Sequence, residues 1–243
     1  MSSFGDALGF IGRNGQIPGT PGLPTLVSLT LETLWIAVLA IAIALVIALP
    51  IGIWLGHIHR GSFVAINLGN VWRALPSLAV LAIGVAFLGL GLGNVLLALV
   101  VLAVPPIVTN AYVAVDGVDS ELVDAARGMG MTDWQVLATV ELPLAAPLIM
   151  AGVRTATLFV VSTTTISALT GFSGSLGDVI NNETSYHLAG VLGAAICIAV
   201  LALAVDALLG IVQRLLTPRG LRTEAVRDSV NDFAPVVTEP GPV

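Results

Sequence analysis

From Trp35 to Ile53 the chain carries no charged side chain. A helix of about 18 or more uncharged apolar residues can cross the ~30 Å hydrocarbon core of a bilayer, where each backbone N–H and C=O must be satisfied within the helix itself. One such run would also suit a helix buried in a large soluble protein. This chain has five predominantly apolar segments of that length, at roughly 26–54, 63–89, 94–115, 145–172 and 187–216. Only 10% of its 243 residues are charged, against the ~25% of a soluble domain, too little polar chain to face water around a core of that size. The reading is an all-α membrane protein with five transmembrane helices, multi-pass in the cell membrane, with the lipid bilayer as its first partner. Pro50, Pro76 and the Pro105–Pro106 pair fall inside these spans and predict kinks whose freed carbonyls neighbours must satisfy.

The arginines orient the spans. His57, His59 and Arg60 lie in connection 55–62, Arg127 in connection 116–144, and Arg214, Arg219, Arg222 and Arg227 at the C-terminal end, while the opposite side has only Arg13. Basic residues mark the cytoplasmic side and acidic ones contribute little to orientation, so the N-terminus is expected outside and the C-terminus inside. Residues 1–24, rich in glycine and proline, read as a flexible N-terminal tail without the pattern of a signal peptide. Residues 217–243 are polar and proline-bearing and read as a disordered cytoplasmic tail, leaving 25–216 as the membrane domain.

Several chemistries are excluded. A net charge of −6 does not fit a nucleic-acid binder, which shows a basic patch. Cys197 stands alone, so it forms no disulfide within the chain and reads as a small buried hydrophobe. There is no lysine, hence no phosphate-binding Gly-x-x-x-x-Gly-Lys-Ser/Thr loop. No catalytic set, metal-ligand cluster or cofactor motif is present, and His57, His59 and His187 read as interfacial residues.

Connection 116–144 is different from the others because it encodes two short helices. Asp119 or Ser120 can cap the first, with Glu121 and Asp124 where a helix N-terminus favours negative charge. Gly130 can end it. Thr132 and Gln135 form a capping-box pattern for the second, and Pro143 restarts the chain into the fourth span. Leu122, Ala125, Ala126 and Met129 recur at helical spacing, which suits docking into a partner's groove or lying against the protein's own bundle.

Here a resemblance enters. Asp124-Ala125-Ala126, then Gly130, then Val140-Glu141-Leu142-Pro143 resembles the EAA loop of ABC-importer permeases: Glu-Ala-Ala, three residues, Gly, nine residues, then Ile-x-Leu-Pro. The departures are Asp124 for Glu and Val140 for Ile. The likeness covers most of residues 26–216 and looks closest to the osmoprotectant (glycine betaine, carnitine, choline) branch. It rests on Arg73-Ala74-Leu75-Pro76-Ser77-Leu78, on Val104-Pro105-Pro106 with Asn110 and Tyr112, on Ala126-Arg127-Gly128-Met129-Gly130-Met131, on Ala151-Gly152-Val153-Arg154-Thr155-Ala156 and on Asp206. Gly174-Ser175-Leu176-Gly177 departs from the Gly-Gly-Leu-Gly of that branch.

The resemblance implies a type I ABC-importer permease architecture and a non-catalytic subunit. A second permease chain, same or paralogous, would pair with it around a central pathway. A pair of ATP-binding subunits would dock on the loop through Asp124, Ala125, Ala126, Gly130, Val140, Leu142 and Pro143, and an extracytoplasmic substrate-binding protein would deliver the solute. A permease of an amino-acid or methionine-type importer is the alternative, since it shares the loop. A self-sufficient secondary transporter would need coupling carboxylates and often repeats, yet the spans hold only Glu32 and Asp206.

Polar residues inside the spans complete the reading. Asn110, Tyr112, Ser162, Thr163 and Thr165 are candidates for lining the pathway, though span hydroxyls equally bond back to their own helix. The few aromatics do not cluster in sequence, which assigns solute choice mainly to the binding protein. Arg154 and Asp206 fall at similar depths, about 13 and 15 Å in from the cytoplasmic ends of their spans at ~1.5 Å per residue, and buried charges in membranes usually pair. Asp206 is expected to pair with Arg154, with Arg73 or backbone groups as competing partners.

Overall fold

The computed structural model describes residues 2–16, 24–63, 67, 69, 70 and 75–217. Among these the regular structure is entirely helical: α1 (Ser2–Gly12), α2 (Leu26–His57), α3 (Ser77–Leu88), α4 (Leu92–Asp116), α5 (Ser120–Gly128), α6 (Asp133–Val136), a π turn (Leu137–Glu141), α7 (Leu142–Ile166), a 3-10 turn (Ser167–Thr170), α8 (Gly177–Asn181) and α9 (Glu183–Leu216). The helical stretches Leu26–His57, Leu92–Asp116, Asp133–Thr170 and Glu183–Leu216 are long and apolar enough to cross a membrane. The expected second span is described only in part. Its helix α3 has 12 residues, about 18 Å at the helical rise, and is too short to cross the core by itself. Pro76 sits before α3 with φ −66° and ψ 125°, so it starts a helix instead of kinking one, because proline's ring excludes the preceding residue from helical geometry.

The expected flexible tail is corrected over residues 2–12, which form α1. A short helix is marginal alone and needs packing to persist. Here Ala7 and Phe10 are buried, with Phe10 seated on two glycines of α9. A Cβ on Gly193 would fall 2.8 Å from its ring, and the ring meets Tyr186 edge-on at 6.3 Å. The Asn14 side chain then accepts from the Val27 N–H at 3.0 Å, tying the end of α1 to the start of α2. Residues 218–243, expected as a tail, lie outside the described residues.

The centre of the bundle is the α2–α4 contact. Ala40, Ala44, Ala48, Gly52 and Gly56 are buried along one edge of α2, facing Ala103, Ile107, Ala111 and Val115 of α4. A Cβ on Gly52 would lie 2.8 Å from the Val108 carbonyl. Lipid is as apolar as the side chains, so helices associate through close contact, which small residues four apart permit. The central place of α4 shows in its burial: 56% of its apolar window is covered within the chain, against 17% for α9.

Candidate functional site

Loop 116–144 is built as the local signals predict. The Asp119 side chain accepts from the Glu121 N–H at 2.9 Å, which selects Asp119 over Ser120 as the cap. At the other end Met131 N–H donates to the Ala126 carbonyl and Gly130 N–H to the Arg127 carbonyl, the paired bonds of a Schellman ending. Gly130 holds φ 87°, a left-handed conformation that glycine adopts without strain. Thr132 and Gln135 form the reciprocal capping box.

The second helix does not end before the membrane, as expected. It runs through the π turn into α7, where Leu142 N–H bonds to the Leu137 carbonyl five residues back. Pro143 explains this: its ring crowds the carbonyl four residues earlier and it has no N–H to donate, and one widened turn absorbs both effects.

Packing sorts the expected docking stripe into two faces. Ala126 is buried with Val123 and Val136 in a small core of the loop's own. Asp124 and Ala125 are exposed, together with Leu122 at 48%, Met129 at 73% and Trp134 at 70%. The outward apolar face of α5 is therefore Leu122, Ala125 and Met129, and Trp134 on α6 is exposed as well. Ala126 does not belong to that face, because Val123 and Ala126 form a second apolar pair three residues apart and the larger valine draws that side inward. Val140 and Leu142 are half-buried and Pro143 is exposed.

The loop is anchored at both ends by histidines read from the sequence as interfacial. His57 Nδ1 lies 2.7 Å from Glu141 Oε2, both buried. His59 Nδ1 lies 2.8 Å from Asp116 Oδ1. The second carboxylate oxygen of Glu141 is buried without a partner among the described residues. Two acids bracketing the loop and two histidines at and just past the end of α2 are the sequence signal for this latch.

Within the membrane helices, Arg154 meets Asp206 through Nε to Oδ1 at 3.0 Å and Nη2 to Oδ1 and Oδ2 at 2.8 and 2.7 Å. Its Nη1 donates to Gln213 Oε1 at 3.0 Å, and Gln213 Nε2 donates to the Pro147 carbonyl at 2.8 Å. The fork-shaped guanidinium thus joins α7 to α9 beside an open cavity of about 590 Å³. Arg73, the competing partner, lies outside the described residues.

Of the expected lining residues, Tyr112 and Thr163 are buried and so reach no open space in this conformation. Asn110 is pressed against α7, where a Cβ on Gly152 would lie 2.4 Å from its own Cβ, and it donates to the Pro106 carbonyl. Ser162 is exposed and Thr165 half-buried, and both donate to carbonyls four residues back. Although scattered in sequence, Trp35 and Phe172 line one cavity together with Glu32. Among the described residues no group of three or more His, Cys, Asp or Glu could hold a metal ion.

Comparison with known proteins places this architecture. Residues 48–219 match the family model described as binding-protein-dependent transport system inner membrane component. The chain is 35% identical over 192 residues to the glycine betaine/carnitine/choline transport system permease protein OpuCB of Bacillus subtilis, covering 79% of this chain and 88% of that one. It is 36% identical over 194 residues to the choline transport system permease protein OpuBB of the same organism, covering 79% and 89%. Among solved structures, the MetNI methionine ABC transporter in an inward-facing conformation superposes with a TM-score of 0.68 at 22% identity, over 79% of this chain and 96% of that one, a likeness of fold. With its apolar helices and its loop 116–144, the chain belongs to the family of binding-protein-dependent transport system inner membrane components.

Proposed function

We propose that the chain is the permease subunit of an ATP-driven importer of small quaternary-ammonium osmoprotectants such as glycine betaine, carnitine or choline. The observation that carries this reading is the outward face of Leu122, Ala125, Met129 and Trp134 on a latched loop, in a chain of this family. Exposed large apolar groups on a compact helix pair suit a partner's groove. Separate ATP-binding subunits dock there, on the cytoplasmic side of a five-span chain with its N-terminus outside. A second permease chain completes the pathway, and a binding protein delivers solute from outside. The relatives at 35–36% identity favour these solutes over the methionine or amino-acid alternative, which the structural neighbour shares only in fold.

Met129→Glu tests the coupling, because Met129 is exposed and outside the loop's core. With the ATPase and binding protein co-expressed, it is expected to abolish labelled glycine betaine and choline uptake and the co-purification of the ATPase, while membrane insertion persists. Normal uptake by M129E overturns the docking face. Uptake of methionine with none of a quaternary ammonium overturns the substrate class.

A further inference from the structure

The end of the bundle opposite loop 116–144 contains a second built feature. Segment 171–178 is stitched down by the Asp178 carboxylate, which accepts from the backbone N–H groups of Gly174 and Ser175. It is fastened to α2 by the Leu176 N–H, which donates to the buried Thr33 Oγ1 at 3.0 Å. This fixes Phe172 and Gly174 against the turn of α2 that bears Glu32 and Trp35. The four residues, with Ile36, Leu92 and Ser173, line a cavity of about 190 Å³. That is room for the four heavy atoms of a trimethylammonium head, since a cavity needs only about 10–15 Å³ to admit one water.

The chemistry of the lining is selective. The Glu32 carboxylate has no hydrogen bond or ion pair among the described residues. It lies over Gly174, where a Cβ would stand 3.0 Å from Oε2 and 3.7 Å from Phe172 Cζ. Gly174 holds φ 120°, so another side chain there would strain the backbone as well as crowd the carboxylate. An unpaired carboxylate beside two aromatic rings attracts a cation that needs no hydrogen bonds, and a quaternary ammonium is such a cation. Depth agrees. The 32 residues of α2 span about 48 Å, about 18 Å more than the hydrocarbon core, which sets Glu32 near the outer boundary when the helix is centred.

We propose that Glu32, Trp35 and Phe172 form an entry site for the quaternary ammonium head of the solute, at the face where a binding protein releases it. This rests on the transport reading above and adds a selectivity to it. The site takes cationic choline more tightly than zwitterionic glycine betaine, because Glu32 attracts the head and repels the betaine carboxylate.

The test is equilibrium binding of labelled choline to the assembled permease–ATPase complex in nanodiscs without binding protein, alongside uptake with it. Wild type is expected to bind choline saturably, displaced by tetramethylammonium and not by ammonium, with glycine betaine weaker. Glu32→Gln weakens choline about tenfold and removes its advantage over glycine betaine. Trp35→Ala weakens both solutes about fivefold, and Trp35→Phe restores most of the loss. Melting temperature and ATPase co-purification establish that each variant is folded. Absence of tetramethylammonium-displaceable binding in wild type, glycine betaine binding as tightly as choline, or unchanged choline binding in E32Q and W35A overturns the site. An aromatic that merely anchors α2 at the interface gives the last result. If the same complex imports a quaternary ammonium while the site fails, the transport reading stands. If it imports none, the transport reading itself fails.

Discussion

Where α2 finishes, His57 and His59 reach across to Glu141 and Asp116 at the two ends of loop 116–141. Where α2 begins, Thr33 holds segment 171–178 by a single neutral hydrogen bond to its middle. The first loop has a core of its own in Val123, Ala126 and Val136 and hinges on titratable contacts at its edges. The second has no core of its own; its Leu176 is buried among residues of α1, α2 and α9. A segment with its own core and two discrete anchors can shift as a rigid body, as transport switching requires. A segment pinned through its middle into the packing of several helices keeps a fixed geometry, as a binding surface requires.

The strongest way to break this contrast is to cut the buried anchor. His57→Ala leaves the Glu141 carboxylate buried and unpaired, which in a soluble core costs about 3–5 kcal/mol. The melting temperature of the detergent-solubilised protein should fall accordingly, and the double change His57→Leu with Glu141→Leu should recover most of it. Equal melting of H57A and wild type would show that the latch does not hold the loop.

A smaller effect tests whether α7 and α9 provide the frame against which the loop moves. Arg154→Leu or Asp206→Leu removes charge-assisted hydrogen bonds between half-exposed side chains, and solvent screening should make the fall in melting temperature smaller than that of His57→Ala. The exchange Arg154→Asp with Asp206→Arg should restore the expression that each single charge reversal loses. No recovery in the exchanged protein would assign the effect to packing beside Gln213 and Pro147 instead of to the pair.

The smallest concerns the outer segment. Thr33→Val keeps the shape and leaves the Leu176 N–H without its acceptor, at about 1–2 kcal/mol, within the range for a buried unsatisfied amide. Hydrogen exchange should quicken at Leu176 and its neighbours while loop 116–141 is unchanged. Faster exchange in both places would mean that the two ends are coupled through α2.

Much of this protein is decided within short stretches of sequence. Runs such as Trp35–Ile53 commit the backbone to membrane helices wherever they pack, because the bilayer supplies no other hydrogen-bond partners. The ends of α5 and α6 are equally local: Asp119, Gly130, Thr132 and Gln135 satisfy bonds within six residues. The EAA-type spacing is legible for the same reason. What tertiary structure alone decides involves residues far apart in the chain. Ala126 and Ala125 are neighbours of one chemistry, and which of them is buried is decided when the Val123 side of the helix packs against Val136. His57 and Glu141 are 84 residues apart, and either could stand at an interface until the helices bring them together. The tail-like glycine spacing of residues 2–12 becomes a helix because Gly190 and Gly193 leave room for Phe10. Glu32, Trp35 and Phe172 share a cavity because Thr33 fastens a distant turn beside them. Local bonds close over a few residues at little entropic cost, whereas these pairings require the whole bundle to form first.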